Sequence, residues 1–100
     1  MKNALHEEQT SEMKELRQQA GAYLRSGREK RKLKQRELSA LIGFDTHTYI
    51  SALENGHEIL PPQRYPAYAE AINADPAEFA RNMLKFYQPS VYAMIWGHNS

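Results

Sequence analysis

Two short helical patterns meeting at a single glycine constrain this chain more than any other feature of it. The stretch from Leu24 to Gly56 reads LRSGREKRKLKQRELSALIGFDTHTYISALENG. Gln35 to Leu41 predicts a helix whose Leu38 and Leu41 repeat at three residues and face inward, and Gly43 can end it in the left-handed conformation that costs glycine little. Asp45 or Thr46 can then cap a further helix, because either side-chain oxygen can accept from the exposed amides of the next turn. Ile50 and Leu53 are its inward residues, and Asn55-Gly56 is a dipeptide suited to the turn that follows.

Charge gathers immediately ahead of this pair. The whole chain of 100 residues carries a net charge of only +1, yet nine basic residues against two acidic ones lie between Lys14 and Arg36. A field of that sign in a quarter of the chain can steer and hold a polyanion such as a phosphate backbone. A solvated helix face would account for the run taken alone. The second helix of the pair, however, carries small and polar residues on one face, as a helix lying in a DNA major groove requires.

Other classes are excluded or disfavoured by composition. A hundred residues form one domain with a modest core. Without cysteine there is neither a disulfide framework nor a thiolate metal site, and His6, His47, His57 and His98 show no ligand spacing, so no metal and no cofactor is expected. The start, MKNALHEEQTSEM, lacks the apolar run of a signal peptide, and no stretch has the length of a membrane span; a cytoplasmic, nucleoid-associated protein is expected. His57 beside Glu58, or His47 near Asp45, comes with no nucleophile arrangement and no phosphate loop, so catalysis is not expected.

The remaining chain reads as all-α. Residues 1–10 read as a flexible arm, and a first helix begins near Ser11 and runs toward Lys32, with Met13, Leu16, Ala20, Tyr23, Leu24 and Gly27 at spacings of three and four. Pro61-Pro62 closes a connection before a fourth helix bearing Tyr65, Tyr68, Ala69 and Ile72. Asp75-Pro76-Ala77-Glu78 supplies a cap, a proline at the first helical position and an acidic residue at the third. The fifth helix then runs to about Tyr87 and buries Phe79, Met83 and one of Leu84 or Phe86. Pro89-Ser90 interrupts it. The expected fold is a compact five-helix domain over residues 11–88, followed by a short apolar C-terminal extension over residues 89–100.

The pattern resembles the Cro/C1-type helix-turn-helix family of repressors, also called the xenobiotic-response-element (XRE) family, over roughly Gly21 to Leu84. The matching residues are Leu24-Arg25 followed by Arg28, Leu33 with Gln35, Glu37-Leu38-Ser39 in place of the usual Glu-Leu-Ala, Gly43, Ile50-Ser51, and Leu53-Glu54-Asn55-Gly56. The resemblance implies an internal ion pair between Arg28 and Glu54, Arg28 being alternatively a DNA contact. It implies phosphate contacts from Gln35 and Asn55, the latter alternatively a plain turn former, with Lys34 and Arg36 bordering the same surface. It places His47, Thr48, Ser51 and Ala52 near base edges, with Thr46 and Tyr49 able to reach the flanking backbone. His47 can equally be an ordinary surface residue, and Tyr49 can equally pack on the adjacent helix. Members with glutamine or arginine at the reading positions grip bases in a bidentate way; this chain lacks those residues there.

These features lead to a sequence-specific regulator of double-stranded DNA, a dimeric repressor reading an inverted repeat. Beyond the resemblance, Phe86, Tyr87, Val91, Tyr92, Ile95 and Trp96 are rich in the residue types of interface cores and are the expected dimer surface, unless Val91 to Trp96 folds back to complete the monomer. The alternative is an antitoxin-like or regulatory module whose aromatic C-terminal patch holds a protein partner.

Overall fold

The computed structural model describes the backbone of residues 2–97 and the side chains of residues 11–97; the ends of the expected arm and of the extension, residues 1 and 98–100, lie outside them. Among the described residues there are six α-helices rather than five: α1 (Lys2–Lys30), α2 (Gln35–Ile42), α3 (Thr48–Glu54), α4 (Tyr65–Ala71), α5 (Pro76–Tyr87) and α6 (Pro89–Trp96). A single 3-10 turn, Pro62–Arg64, leads into α4. α1 packs on α3 and α5, α2 on α3 and α4, α4 on α5, and α6 on α5.

The local signals for α5 act as their chemistry dictates. The Asp75 carboxylate accepts from the Glu78 amide at 2.9 Å, and Pro76 occupies the first turn, where its missing N–H costs nothing. α2 starts with one half of a capping box: the Lys34 amide donates to Glu37 Oε1 at 2.7 Å. Gly43 ends α2 with φ at 83° and returns its amide to the helix, giving the sharp turn that a side chain would strain.

Three readings need correction. The first helix starts at Lys2 instead of near Ser11 and stops at Lys30. In α2, Leu38 and Ile42 are buried while Leu41 is 60% exposed. At about 100° per residue, positions 38, 39 and 42 span a single arc. That arc faces α3 and α4, and Leu41 falls outside it. The expected five-helix fold with a short apolar extension is overturned by α6, which makes six helices. Pro89 does interrupt α5, but a proline that ends one helix is also preorganised to begin another. Here the Tyr92 amide donates to the Gln88 carbonyl at 2.9 Å and closes the first turn of α6.

Leu24, Leu38, Ile50, Leu53, Leu60, Tyr68, Phe79 and Met83 are fully buried and form the centre of the core. Phe79 is its aromatic hub, with the rings of Tyr65 and Tyr68 each 5.7 Å away and that of Tyr23 at 6.0 Å. The tightest approach lies where α1 crosses the end of α3. A Cβ on Gly21 would stand 2.3 Å from the Glu54 carbonyl oxygen, a separation no packing tolerates. Absence of a side chain at Gly21 therefore sets how closely the two helices dock.

Candidate nucleic-acid interface

α3 is buried through Ile50, Leu53 and Glu54, which leaves the opposite arc of this seven-residue helix outside the core. Ser51 and Ala52 each lie three or four residues from both Thr48 and Asn55, so the four form one stripe along that arc. Thr48 and Asn55 are exposed, and Ser51 and Ala52 are half-buried. Thr46 and His47, both exposed, extend the stripe at the N-terminal end. His47 holds the N-cap position without capping, while Thr46 Oγ1 accepts from the Thr48 amide at 3.0 Å. Of the two candidate caps, Thr46 makes the bond. The Asn55 amide donates to the Ser51 carbonyl at 3.0 Å and finishes the helix.

Beneath the stripe lies a polar cluster that holds the helix by its C-terminal end. Arg28 Nε donates to Glu54 Oε2 at 2.6 Å and Nη2 to Oε1 at 3.0 Å, a bidentate pair in which both residues are 9% exposed. Hydrogen bonding to Glu54 raises the Arg28 pKa further above its ordinary value. The third arm of the guanidinium, Nη1, donates to the Leu33 carbonyl at 2.7 Å, so the same residue also fixes the loop leading into α2. Gln35 Nε2 joins from the first turn of α2, donating to Glu54 Oε1 at 3.0 Å. That bond occupies one amide proton and leaves the other for an external acceptor. Arg28 is thus occupied inside the fold.

The basic run divides accordingly. Arg28 is internal, and Arg25 is paired with Glu29 at 3.0 Å on the surface. Lys30, Arg31, Lys32, Lys34 and Arg36 are exposed around the end of α1 and the start of α2. Tyr49 is occupied within the fold: its ring meets Phe44 edge-on at 4.6 Å, and its hydroxyl donates to the Ile59 carbonyl at 2.7 Å. Burial pushes its pKa up.

The turn carries a device with no forerunner in the sequence reading. Ser39, buried in α2, donates its one hydroxyl proton toward the carbonyls of both Phe44 (3.2 Å) and Thr46 (3.0 Å). Arg64 approaches the same turn from the far side of the chain. Neither residue has periodicity or charge clustering to mark it; the available signals were serine in place of the usual alanine at Ser39 and an aromatic side chain, Phe44, directly after the turn glycine.

The expected dimer residues separate into three groups. Phe86 and Tyr87 are half-buried against their own core, the Phe86 ring 5.9 Å from Tyr23 and the Tyr87 hydroxyl accepting from the Leu60 amide at 3.2 Å. The Tyr92 and Trp96 rings meet at a tilt with centroids 5.0 Å apart, and the Arg81 guanidinium lies 5.9 Å from the indole. Val91 and Ile95 are exposed together with Met94, the most open of them at 83%. These three are spaced as one helix face. Next to the base of α6, Met13, Leu16, Ile59, Phe86 and Pro89 line a groove of about 150 Å³.

Two helices at a tight glycine turn, the second with a free polar stripe beside exposed bases, define a DNA-binding helix-turn-helix. The profile of the helix-turn-helix domain family matches residues 19–81, and the chain belongs to that family. Such domains are non-catalytic DNA-binding modules. No curated protein and no solved structure matches the chain. Among the described residues no cluster of acidic and histidine side chains is arranged to hold a metal ion, and no helix is long and apolar enough to cross a membrane.

Proposed function

We propose that this protein is a sequence-specific transcriptional regulator of the Cro/C1 type, a dimeric repressor that reads an inverted repeat in double-stranded DNA through α3. The observation that carries the reading is the free stripe of α3, locked from behind by the Arg28–Glu54–Gln35 cluster. His47, Thr48, Ser51 and Ala52 meet base edges in this reading. A hydroxyl or imidazole can donate or accept there, and the Ala52 methyl can meet a thymine methyl. Gln35, Lys34, Arg36, Thr46 and Asn55 hold the phosphates; Tyr49, occupied by Ile59, supports the helix from the side.

The dimer forms through Val91, Met94 and Ile95 of α6. Across a two-fold axis these supply six apolar side chains, worth about 1.5–3 kcal/mol each when fully buried. Val91 and Ile95 are already partly covered, at 38% and 58% exposure, so the gain falls short of the full value and is of the same order as the about 4–15 kcal/mol that association costs. Two half-sites about one helical turn apart complete the dimer. The same exposed face supports the second reading, in which a different protein covers α6 as in an antitoxin-like module.

Selection from a pool of random duplexes at about 0.15 M salt, with the mass of the complex measured in parallel, tests both. An inverted repeat bound by two copies supports the repressor. Retention that is weak and independent of sequence would sink site-specific recognition by the protein acting alone.

A further inference from the structure

We infer that Arg64 is a positioning residue for DNA reading: it clamps the end of α2 and, through Phe44 and Tyr49, sets the orientation of α3. This inference rests on the proposed role of α3 in reading DNA.

Arg64 makes two contacts of different kind. Nη1 donates to the Ile42 carbonyl at 3.0 Å, satisfying one of the carbonyls that a helix leaves unpaired at its C-terminus. The flat guanidinium lies 4.6 Å from the centre of the Phe44 ring, a cation–π contact. Nη1 also lies against the turn itself: a Cβ at Gly43 would meet it at 3.6 Å, an ordinary van der Waals contact.

The contacts continue into the reading helix. Phe44 meets Tyr49 edge-on at 4.6 Å, and Tyr49 lies in the first turn of α3. The Tyr49 hydroxyl then donates to Ile59, five residues ahead of Arg64 along the chain. Arg64, Phe44, Tyr49 and the 59–64 connection therefore form a closed ring of contacts around the turn. The Arg28–Glu54 pair holds α3 at its C-terminal end; the Arg64 ring holds its N-terminal end, where Thr46, His47 and Thr48 stand. Without the Arg64 ring the N-terminal end keeps the Ser39 hydroxyl on the Thr46 carbonyl and buried Ile50, but the first turn of this seven-residue helix is free to reorient and readout there is lost first.

Three variants test this: Arg64→Ala, Arg64→Lys, and Phe44→Leu, which keeps an apolar plug but removes the ring. Affinity is measured for the duplex selected from the random pool and for a scrambled duplex, each against salt, with amide hydrogen exchange of residues 48–53. The expected result for Arg64→Ala and Phe44→Leu is a fall of about tenfold or more in the ratio of the two affinities, with an unchanged salt slope and about tenfold faster exchange in α3. Arg64→Lys keeps the charge and one donor without the planar face, and falls between. A ratio within about twofold of wild type in Arg64→Ala overturns the inference. So does full wild-type discrimination in Arg64→Lys. A salt slope lowered by about one would make Arg64 a phosphate contact instead, and overturns it too. Should the wild-type protein select no sequence, the DNA reading itself fails and exchange alone decides: faster exchange in the variants upholds the clamp, and unchanged exchange refutes it.

Discussion

Arg28 and Glu54, 26 positions apart, meet in a bidentate pair at 2.6 and 3.0 Å that joins α1 to the last residue of α3. Both are 9% exposed, and Gln35 donates to the same carboxylate. The pair therefore serves as a joint between the scaffold and the reading helix.

Removing one partner leaves the other buried and charged, and such a loss costs about 3–5 kcal/mol. Arg28→Met and Glu54→Leu should each lower stability by that order in denaturant unfolding. The double variant should recover part of the loss, since no lone charge remains. Additive losses in the double-mutant cycle would refute the joint.

Gly21 makes a sharper steric prediction. Its missing Cβ lies 2.3 Å from a backbone oxygen and 2.7 Å from the Leu53 carbonyl oxygen, neither of which can swing aside. Gly21→Ala gains helix propensity of about 1 kcal/mol but forces α1 off α3 at a cost at the upper end of about 1–3 kcal/mol, a net loss of about 2 kcal/mol. An alanine variant as stable as wild type in thermal unfolding would show that the two helices separate without cost.

Tyr68 is fully buried, and its hydroxyl has no hydrogen-bond partner among the described residues. Leaving a buried polar group unsatisfied costs about 1–3 kcal/mol. Tyr68→Phe keeps the ring stacked on Phe79 and should raise stability by about 1 kcal/mol. A clear fall in melting temperature would mean that the hydroxyl makes a favourable bond.

Alkaline pH should unfold the protein through its tyrosines. Burial pushes Tyr65 up to about 12, whereas an unfolded tyrosine ionises near about 10. With the folded pKa raised, the stabilisation is fully present below pH about 10 and is lost as pH rises toward about 12. Burial raises Tyr87 and Tyr68 in the same direction. Melting temperature recorded across that window should fall steeply, and less steeply in Tyr65→Phe. Identical slopes for the two proteins would remove Tyr65 from the account.

The exposed face of α6 predicts a concentration-dependent dimer. Ile95→Lys or Met94→Glu should shift sedimentation equilibrium to the monomer and weaken binding to a two-half-site duplex, with little change for one half-site. Trp96, the sole tryptophan, reports on the same helix, and its emission should move to shorter wavelength as the concentration rises. If both variants sediment as the wild type does, α6 is not the dimer surface.

What the chain disclosed beforehand was local or spaced along one helix. The Asp75 cap, the Pro76 start and the end of α5 at Tyr87 depend on residues a few positions apart, whose chemistry acts wherever the segment lies. Gly43 and the inward Leu38, Ile50 and Leu53 follow in the same way from turn chemistry and helical period. The Arg28–Glu54 contact was legible only through resemblance to a family pattern, because nothing in spacing brings residues 28 and 54 together.

Tertiary structure decided the rest. Leu41 and Ile42 are equally apolar neighbours, and only the position of α3 and α4 determines that Ile42 is buried. Tyr87 reads as dimer surface, and Phe86 as either core or dimer surface, until Leu60 and Tyr23 are seen to occupy them. Pro89 marks a break in any one-dimensional reading, yet α5 gives the following turn a surface to fold on and α6 results. Arg64 was one more charge in a connection until folding set it over Phe44. Periodicity specifies which residues can share a face; which face is covered, and by what, depends on where the other helices dock.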